Sequence, residues 1–164
     1  MNIRLADLND VEALTAVNVE AWQSSYRHFV DPAFLQTLRV SDRLEGFRKL
    51  ALVSELHCFV AEEDNQIIGF CHAGLARVLK HLVKGEVWTC YVLSQYQRQG
   101  VGSRLWQTAT QYLKDKNFAP YSVWVLAENK PARAFYEKQG GVPQHTQKVR
   151  IGEKEYEEVC YAFS

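Results

Sequence analysis

Tyr96-Gln97-Arg98-Gln99-Gly100-Val101-Gly102-Ser103-Arg104-Leu105 (YQRQGVGSRL) places two glycines one residue apart, where one hydrophobic period gives way to another. Before it, residues 86–93 (EVWTCYVL) form a short apolar run that reads as a strand. After it, Val101, Leu105, Ala109, Tyr112 and Leu113 share one side of a helix predicted over residues 101–116. A helix that starts there leaves its first N–H groups without carbonyl partners and carries partial positive charge. Glycines let a bulky anion approach those amides closely, and Arg98 and Arg104 add charge. The predicted ligand is a phosphate or pyrophosphate. A tight strand-to-helix turn that binds nothing is the other reading of the glycines alone. The stretch is neither a Walker loop, since no Gly-Lys-Ser/Thr follows, nor the dinucleotide fingerprint, since Leu105 stands where a third glycine would fall.

Working outward, residues 2–6 read as a short first strand. Asp7 or Asn9 can cap a helix to about Tyr26, with Val11, Leu14, Val17 and Ala21 at helical spacing. Asp31-Pro32 pairs a cap with proline at the first helical position, starting a helix to about Leu38. A third, amphipathic piece runs from Ser41 to about Ser54. The period then changes, and residues 57–78 read as strand, tight turn at Asp64-Asn65, strand. Beyond the glycine stretch come a strand at 121–127, a helix capped by Asn129 to about Lys138, and a hairpin turning near Gly152-Glu153. The order β-ααα-ββ-β-α-β-α-ββ, with hairpins and two helical crossovers, predicts an α/β (α+β) fold. A mixed sheet would carry helices on both faces. No repeat or linker divides the 164 residues, which predicts one domain over 1–164.

The bulk numbers exclude some partners. Nineteen Lys and Arg balance nineteen Asp and Glu, which argues against nucleic acid or an anionic membrane, both of which select a basic face. No apolar run approaches the roughly 18 residues of a membrane span. Cys58, Cys71, Cys90 and Cys160 form no CxxC pair and lie in strand-like runs, which predicts buried thiols in a reducing, cytoplasmic compartment. The five histidines are scattered, so no metal site is expected.

Gln97-Arg98-Gln99-Gly100-Val101-Gly102 fits the Q/R-x-x-G-x-G/A signature of the GNAT family of N-acetyltransferases, and YVLSQYQRQGVGSRLW resembles that family's central motif. VWVLAENKPARAFYEKQGG (123–141) resembles its second motif, a strand, an asparagine, then A-x-x-F-Y-E-K-x-G. The resemblance covers nearly the whole chain. It implies the GNAT fold, with a mostly antiparallel sheet of about six to seven strands. It also implies an enzyme that moves an acetyl group from acetyl-CoA to a primary amine of a small molecule or peptide. The backbone amides of Arg98, Gln99, Gly100, Val101, Gly102 and Ser103 would cradle the pyrophosphate. Backbone groups of Cys90, Tyr91 and Val92 would bond the pantetheine arm like an extra strand, an amide near Val92 would polarise the thioester carbonyl, and Asn129 would touch the arm. Tyr136, two turns from Asn129, would protonate the departing thiolate.

A substrate amine with a pKa of about 10.4 needs a proton acceptor at neutral pH. Glu86, fourteen residues before Gly100, matches the glutamate of the histone-acetylating branch, and it equally fits an ordinary strand-end carboxylate. The glutamate of the branch that acetylates protein N-termini is replaced by Trp124, and Glu62, Glu63 and His72 are further candidates. Trp22, Tyr26 and Phe29 either line the acceptor pocket or form a buried helix face at i, i+4 and i+7. Two departures from the family pattern are Ser94, where proline is common, and Gly140-Gly141 in place of Gly-Phe, a missing ring that should cost packing. The resemblance admits a homodimer through the last strands. The alternative function is a catalytically silent acyl-CoA-binding module.

Overall fold

One seven-stranded sheet, seen in a computed structural model that describes residues 1–164, runs in the order β1-β2-β3-β4-β5-β7-β6. The strands are β1 (Asn2–Leu5), β2 (Leu56–Glu63), β3 (Gln66–Leu75), β4 (Gly85–Val92), β5 (Tyr121–Leu126), β6 (Val142–Ile151) and β7 (Lys154–Phe163). Every neighbouring pair is antiparallel except β4 and β5. The helices are α1 (Val11–Ser25), α2 (Pro32–Thr37), α3 (Val40–Leu50), α4 (Val101–Asp115) and α5 (Lys130–Lys138).

Local chemistry sets most boundaries. Asp7 caps a short 3-10 turn that leads into α1: it accepts from the Asn9 N–H at 2.7 Å, while Asp10 accepts from the Asp7 N–H at 2.8 Å. Asp31 accepts from the Ala33 N–H at 2.9 Å with Pro32 at the first position of α2. The β2–β3 turn is Asp64-Asn65, with φ of 50° and 62°, the left-handed pair that a two-residue hairpin requires.

Side-chain alternation divides the core by face. Phe59, Ala61, Cys71, Val87, Val123 and Tyr161 pack with Leu105, Trp106 and Leu113 of α4 and Tyr136 of α5. Val60 and Phe70 face the other way, onto Leu14 and Val17 of α1. A third cluster joins Leu126 to Val19, Val30, Leu35 and Ile151, so α1 and α2 lie beneath the β6–β7 hairpin. That hairpin is tied down by Lys154 Nζ on Asp31 at 2.8 Å and by the Asp31 N–H donating to the Tyr156 hydroxyl at 2.9 Å.

The expected packing loss at Gly141 does not occur. A Cβ there would lie 2.6 Å from Phe163 Cζ and 2.9 Å from the Tyr136 carbonyl. Phe163 stacks on Tyr121, with centroids 5.2 Å apart and planes at 4°, and so fills this space from β7. Gly141→Phe should therefore lower stability by about 2 kcal/mol through overpacking, and Phe163→Ala in the same chain should return part of it. Chemical denaturation of the three variants checks this.

Candidate active site

β4 and β5 pair only over Gly85–Val87 and Tyr121–Val123. At the next residue the register against β3 slips: His72 faces Thr89 and Ala73 faces Val87, so Trp88 is an extra residue. Such a bulge bends its strand and sharpens its twist. Beyond it β4 follows β3 while β5 follows β7, and a wedge opens between them.

The ladder also determines which backbone groups line the wedge. The Leu93 N–H donates to the Ile68 carbonyl at 2.9 Å. Antiparallel alternation then turns the N–H and C=O of Tyr91 toward Phe70 of β3 and those of Cys90 and Val92 toward the wedge. The sequence expectation that all three residues offer backbone groups is thereby corrected: Tyr91 spends its own within the sheet. The Val92 carbonyl takes Gln97 Nε2 at 3.0 Å, which anchors the following loop to the strand.

That loop ends the wedge. Arg98 and Gly100 both have left-handed backbones, φ 60° and 87°, and Gly100 is the N-cap of α4. Alternating conformations of this kind turn successive N–H groups into one concavity. None of the six N–H groups from Arg98 to Ser103 donates to a carbonyl, and the first α4 bond runs from Arg104 to Gly100 at 3.1 Å. A Cβ on Gly100 would meet nothing within 4 Å, and one on Gly102 would meet only Val92 Cγ2 at 3.8 Å. The glycines therefore leave open space above the amides.

Asn129 and Tyr136 stand on the α4 side. Asn129 caps α5, accepting from the Ala132 N–H at 3.2 Å, so its oxygen is committed while its amide nitrogen has no partner. Tyr136 is buried against Trp106 at 5.2 Å between centroids, and no hydrogen bond within the protein engages its hydroxyl. Burial pushes its pKa well above 10, with Cys90 and Cys71 among its neighbours, so the phenol keeps its proton.

The opposite face carries a different set. Trp22 lies in the last turn of α1, Tyr26 is its C-cap, and Phe29 lies beyond it. The three do not share a helix face, because α1 stops at Ser25, yet their rings still touch in sequence, edge-to-face at 4.6 Å and tilted at 5.3 Å. Trp22 Nε1 donates to the Tyr91 hydroxyl at 2.9 Å. Burial raises the pKa of Tyr26, and Tyr91, Tyr136 and Glu158 add to that rise. Trp124 Nε1 and Ser122 Oγ, on the same face of β5, are buried without a partner.

Glu86 is on this face too, but it is fully buried and clamped. Its carboxylate accepts from the Arg77 N–H at 2.8 Å and from Arg77 Nε at 2.9 Å, with Nη2 also in contact. Both carboxylate oxygens are thereby engaged by Arg77, away from the wedge-lining groups. Glu62 and Glu63 are likewise committed, to Arg4 Nε at 2.6 Å and to the amino terminus at 3.5 Å. Sequence reading missed Glu158, which lies opposite Leu126 across the β5–β7 ladder and carries only a neutral partner, Gln147 Nε2, at 2.6 Å. The period of β7 could have found it: Val159 and Tyr161 point to the α4 face, so Glu158 points away. A cleft of about 400 Å³ between α3 and the β1–β2 edge is apolar and includes none of these groups except His72.

A sequence model of the Acetyltransferase (GNAT) family matches residues 17–141, and the chain belongs to that family. It is similar to the uncharacterised N-acetyltransferase YuaI of Bacillus subtilis, 27% identical over 138 residues, with 84% of this chain and 78% of that protein covered. An uncharacterised N-acetyltransferase of Archaeoglobus fulgidus is 30% identical over 141 residues, covering 85% of this chain and 91% of its own. Among solved structures, the PaiA N-acetyltransferase of Thermoplasma acidophilum, in complex with coenzyme A, has the same fold. Its TM-score is 0.76 at 21% identity, over 96% of this chain and 98% of that one. The protein is thus an acetyltransferase of the GNAT type.

His72 is buried between Phe47 and Phe70, with Nδ1 3.0 Å from Thr89 Oγ1. Burial pushes its pKa down from 6.5 to about 4. Above pH 6.5 both folded and unfolded chains leave it neutral; as pH falls toward 4 only the unfolded chain takes the proton. This one group should then cost about 3 kcal/mol of stability between pH 6.5 and 4. Denaturation across that window should show a shallower loss for His72→Gln than for the wild type.

Proposed function

We propose that the protein transfers the acetyl group of acetyl-CoA to a primary amine of a small molecule or peptide by direct attack. The observation that carries this reading is the run of six unpartnered amides, Arg98 to Ser103, at the end of a wedge lined by Cys90 and Val92. An extended amide-bearing arm suits the strand edge, and a pyrophosphate suits the concavity of N–H groups. Acetyl-CoA, when bound, supplies the activated acyl group. The protein's own part is to orient that group and manage two protons. The Val92 N–H would polarise a carbonyl lying in the wedge. The Asn129 amide nitrogen contacts the arm.

Tyr136 Oη holds the proton that the departing sulfur takes up. Its raised pKa keeps that proton in place at neutral pH. On the other face Trp22, Tyr26 and Phe29 line the way in for the acceptor. Only about one alkylamine in a few thousand is neutral at pH 7, so its proton must be removed. We assign that step to Glu158, through water, in place of Glu86. Direct attack fits the cysteines: burial raises the thiol pKa of Cys71 well above 9 and that of Cys160 to about 11, and neither has a hydrogen-bonded imidazole or carboxylate.

Thermal unfolding with acetyl-CoA, and with ATP and NAD as controls, tests the donor. At a hundred times its dissociation constant a ligand stabilises by about 2.7 kcal/mol, a rise of several degrees for this size. Acetyl-CoA alone should give it; no rise, or a larger one with ATP or NAD, overturns the reading. Gly102→Val should abolish the shift and leave the free protein as stable as before, since the new Cβ meets only an ordinary contact.

Thiol release assays test the proton steps. Tyr136→Phe should lower kcat by about a hundredfold and keep the acetyl-CoA shift. Glu158→Gln should lose most at pH 7 and recover toward pH 10, where the amine sheds its own proton. A flat pH response in Glu158→Gln would remove Glu158 from the mechanism.

A further inference from the structure

We infer that the amine acceptor carries an anionic oxygen group, a carboxylate or a phosphate, and that Arg43 of α3 binds it. The inference rests on the acetyltransferase reading above and names the class of its acceptor.

Arg43 is half-buried where α3 crosses α1. Its Cζ lies 4.8 Å from the centroid of Trp22, and one Nη donates to Asn18 Oδ1. Trp22 in turn donates to the Tyr91 hydroxyl at 2.9 Å, so one aromatic layer separates the guanidinium from the β4 wall of the wedge. No carboxylate pairs with it. The acids of its own helix are turned elsewhere: Asp42 takes the Ser41 hydroxyl at 3.0 Å, and Glu45 faces Arg48 and Lys49 at 4.0 Å and 3.9 Å. From α1 it meets a neutral amide and an indole, and from β4 only the phenol of Tyr91. Burial lowers its pKa, yet a guanidinium keeps its charge at any physiological pH.

Two facts turn this from packing into recognition. Nε and the second Nη of Arg43 make no hydrogen bond in the protein. Neither is among the buried atoms left without a partner, so both reach solvent. A fork with two free, adjacent donors and a stacked face matches a carboxylate or phosphate bidentately. Contrast Arg77 and Arg4, whose forks are filled by Glu86 and by Asp10 with Glu62. Arg98 and Arg104 also lack acids, but they are exposed beside the glycine loop, on the donor's side. Arg43 is the half-buried cation without a counter-charge on the acceptor's side.

The test uses matched acceptors that differ only in the anion. Glutamate is compared with its diamide, phenylalanine with its α-carboxamide, and O-phosphoethanolamine with ethanolamine, reading kcat/KM by thiol release. The anionic member of at least one pair should be favoured roughly tenfold or more, the worth of a charge-assisted bidentate contact. Which pair shows it distinguishes carboxylate from phosphate. In Arg43→Gln the ratio should fall to near one, and in Arg43→Lys, which keeps charge but loses the fork, to an intermediate value. The stabilisation by acetyl-CoA should persist in both variants, which shows that they fold.

Calorimetric binding of N-acetylglutamate, N-acetylphenylalanine and N-acetyl-O-phosphoethanolamine, against their uncharged counterparts, to CoA-saturated protein reads the same contact without turnover. If nothing turns over but an anionic product binds and Arg43→Gln abolishes it, the transferase reading fails while Arg43 is still upheld as an anion-binding residue. Turnover of neutral amines as good as their anionic partners overturns it. So does a preference untouched in Arg43→Gln, or the absence of any anion-dependent binding.

Discussion

The functional geometry depends on a single extra residue. Trp88 is inserted between two registers of the β3–β4 ladder, and that bulge turns β4 out of line with β5. A continuous parallel pair would have closed the sheet and consumed the N–H and C=O groups of Cys90 and Val92. With the bulge the N–H and C=O of Cys90 and the N–H of Val92 are left along an open edge. Unpaired backbone groups away from water are costly, so such an edge is stable only where solvent or a ligand can reach it. The glycine loop then continues the same edge with six further amides, and Gln97 links loop to strand through the Val92 carbonyl.

The sheet separates two kinds of chemistry. On the α4 and α5 face, Tyr136 is held neutral by burial beside Trp106, close to the wall formed by Cys90. The α1 and α2 face carries aromatic rings, a half-buried arginine stacked on Trp22 and the carboxylate of Glu158. The β6–β7 hairpin completes this second face, because Lys154 and Tyr156 both bind Asp31 at the head of α2. Glu86 belongs to the framework: its pair with Arg77 fastens residues 76–84, the segment leading into β4, against the sheet.

Much was legible from local pattern. Asp31-Pro32, Asp64-Asn65 and Asn129 mark their caps and turn where the sequence places them, because each acts through its own backbone neighbours. The alternation of apolar residues identified the strands within about three residues at their ends. Glu86 could not be judged in the same way. Its offset from Gly100 fits a catalytic base, and only the fold brings Arg77, nine residues earlier, onto its carboxylate. Gly141 read as a lost aromatic ring, whereas Phe163, far away in sequence, supplies one. Phe29 lay at a helical spacing from Trp22, but α1 ended first.

By itself, then, the sequence determined the element order, the glycine loop at the start of α4 and the placement of Asn129 and Tyr136 on the last crossover helix. These follow from side chains acting on residues a few positions away, where spacing is enough. Tertiary structure decided which backbone groups of residues 90–92 face the wedge, which carboxylate is free and which arginine lacks a partner. Those properties depend on strand register and on pairs such as Arg43 with Trp22 or Arg77 with Glu86. A one-residue slip in register reverses every such assignment, and no local spacing in the chain records it.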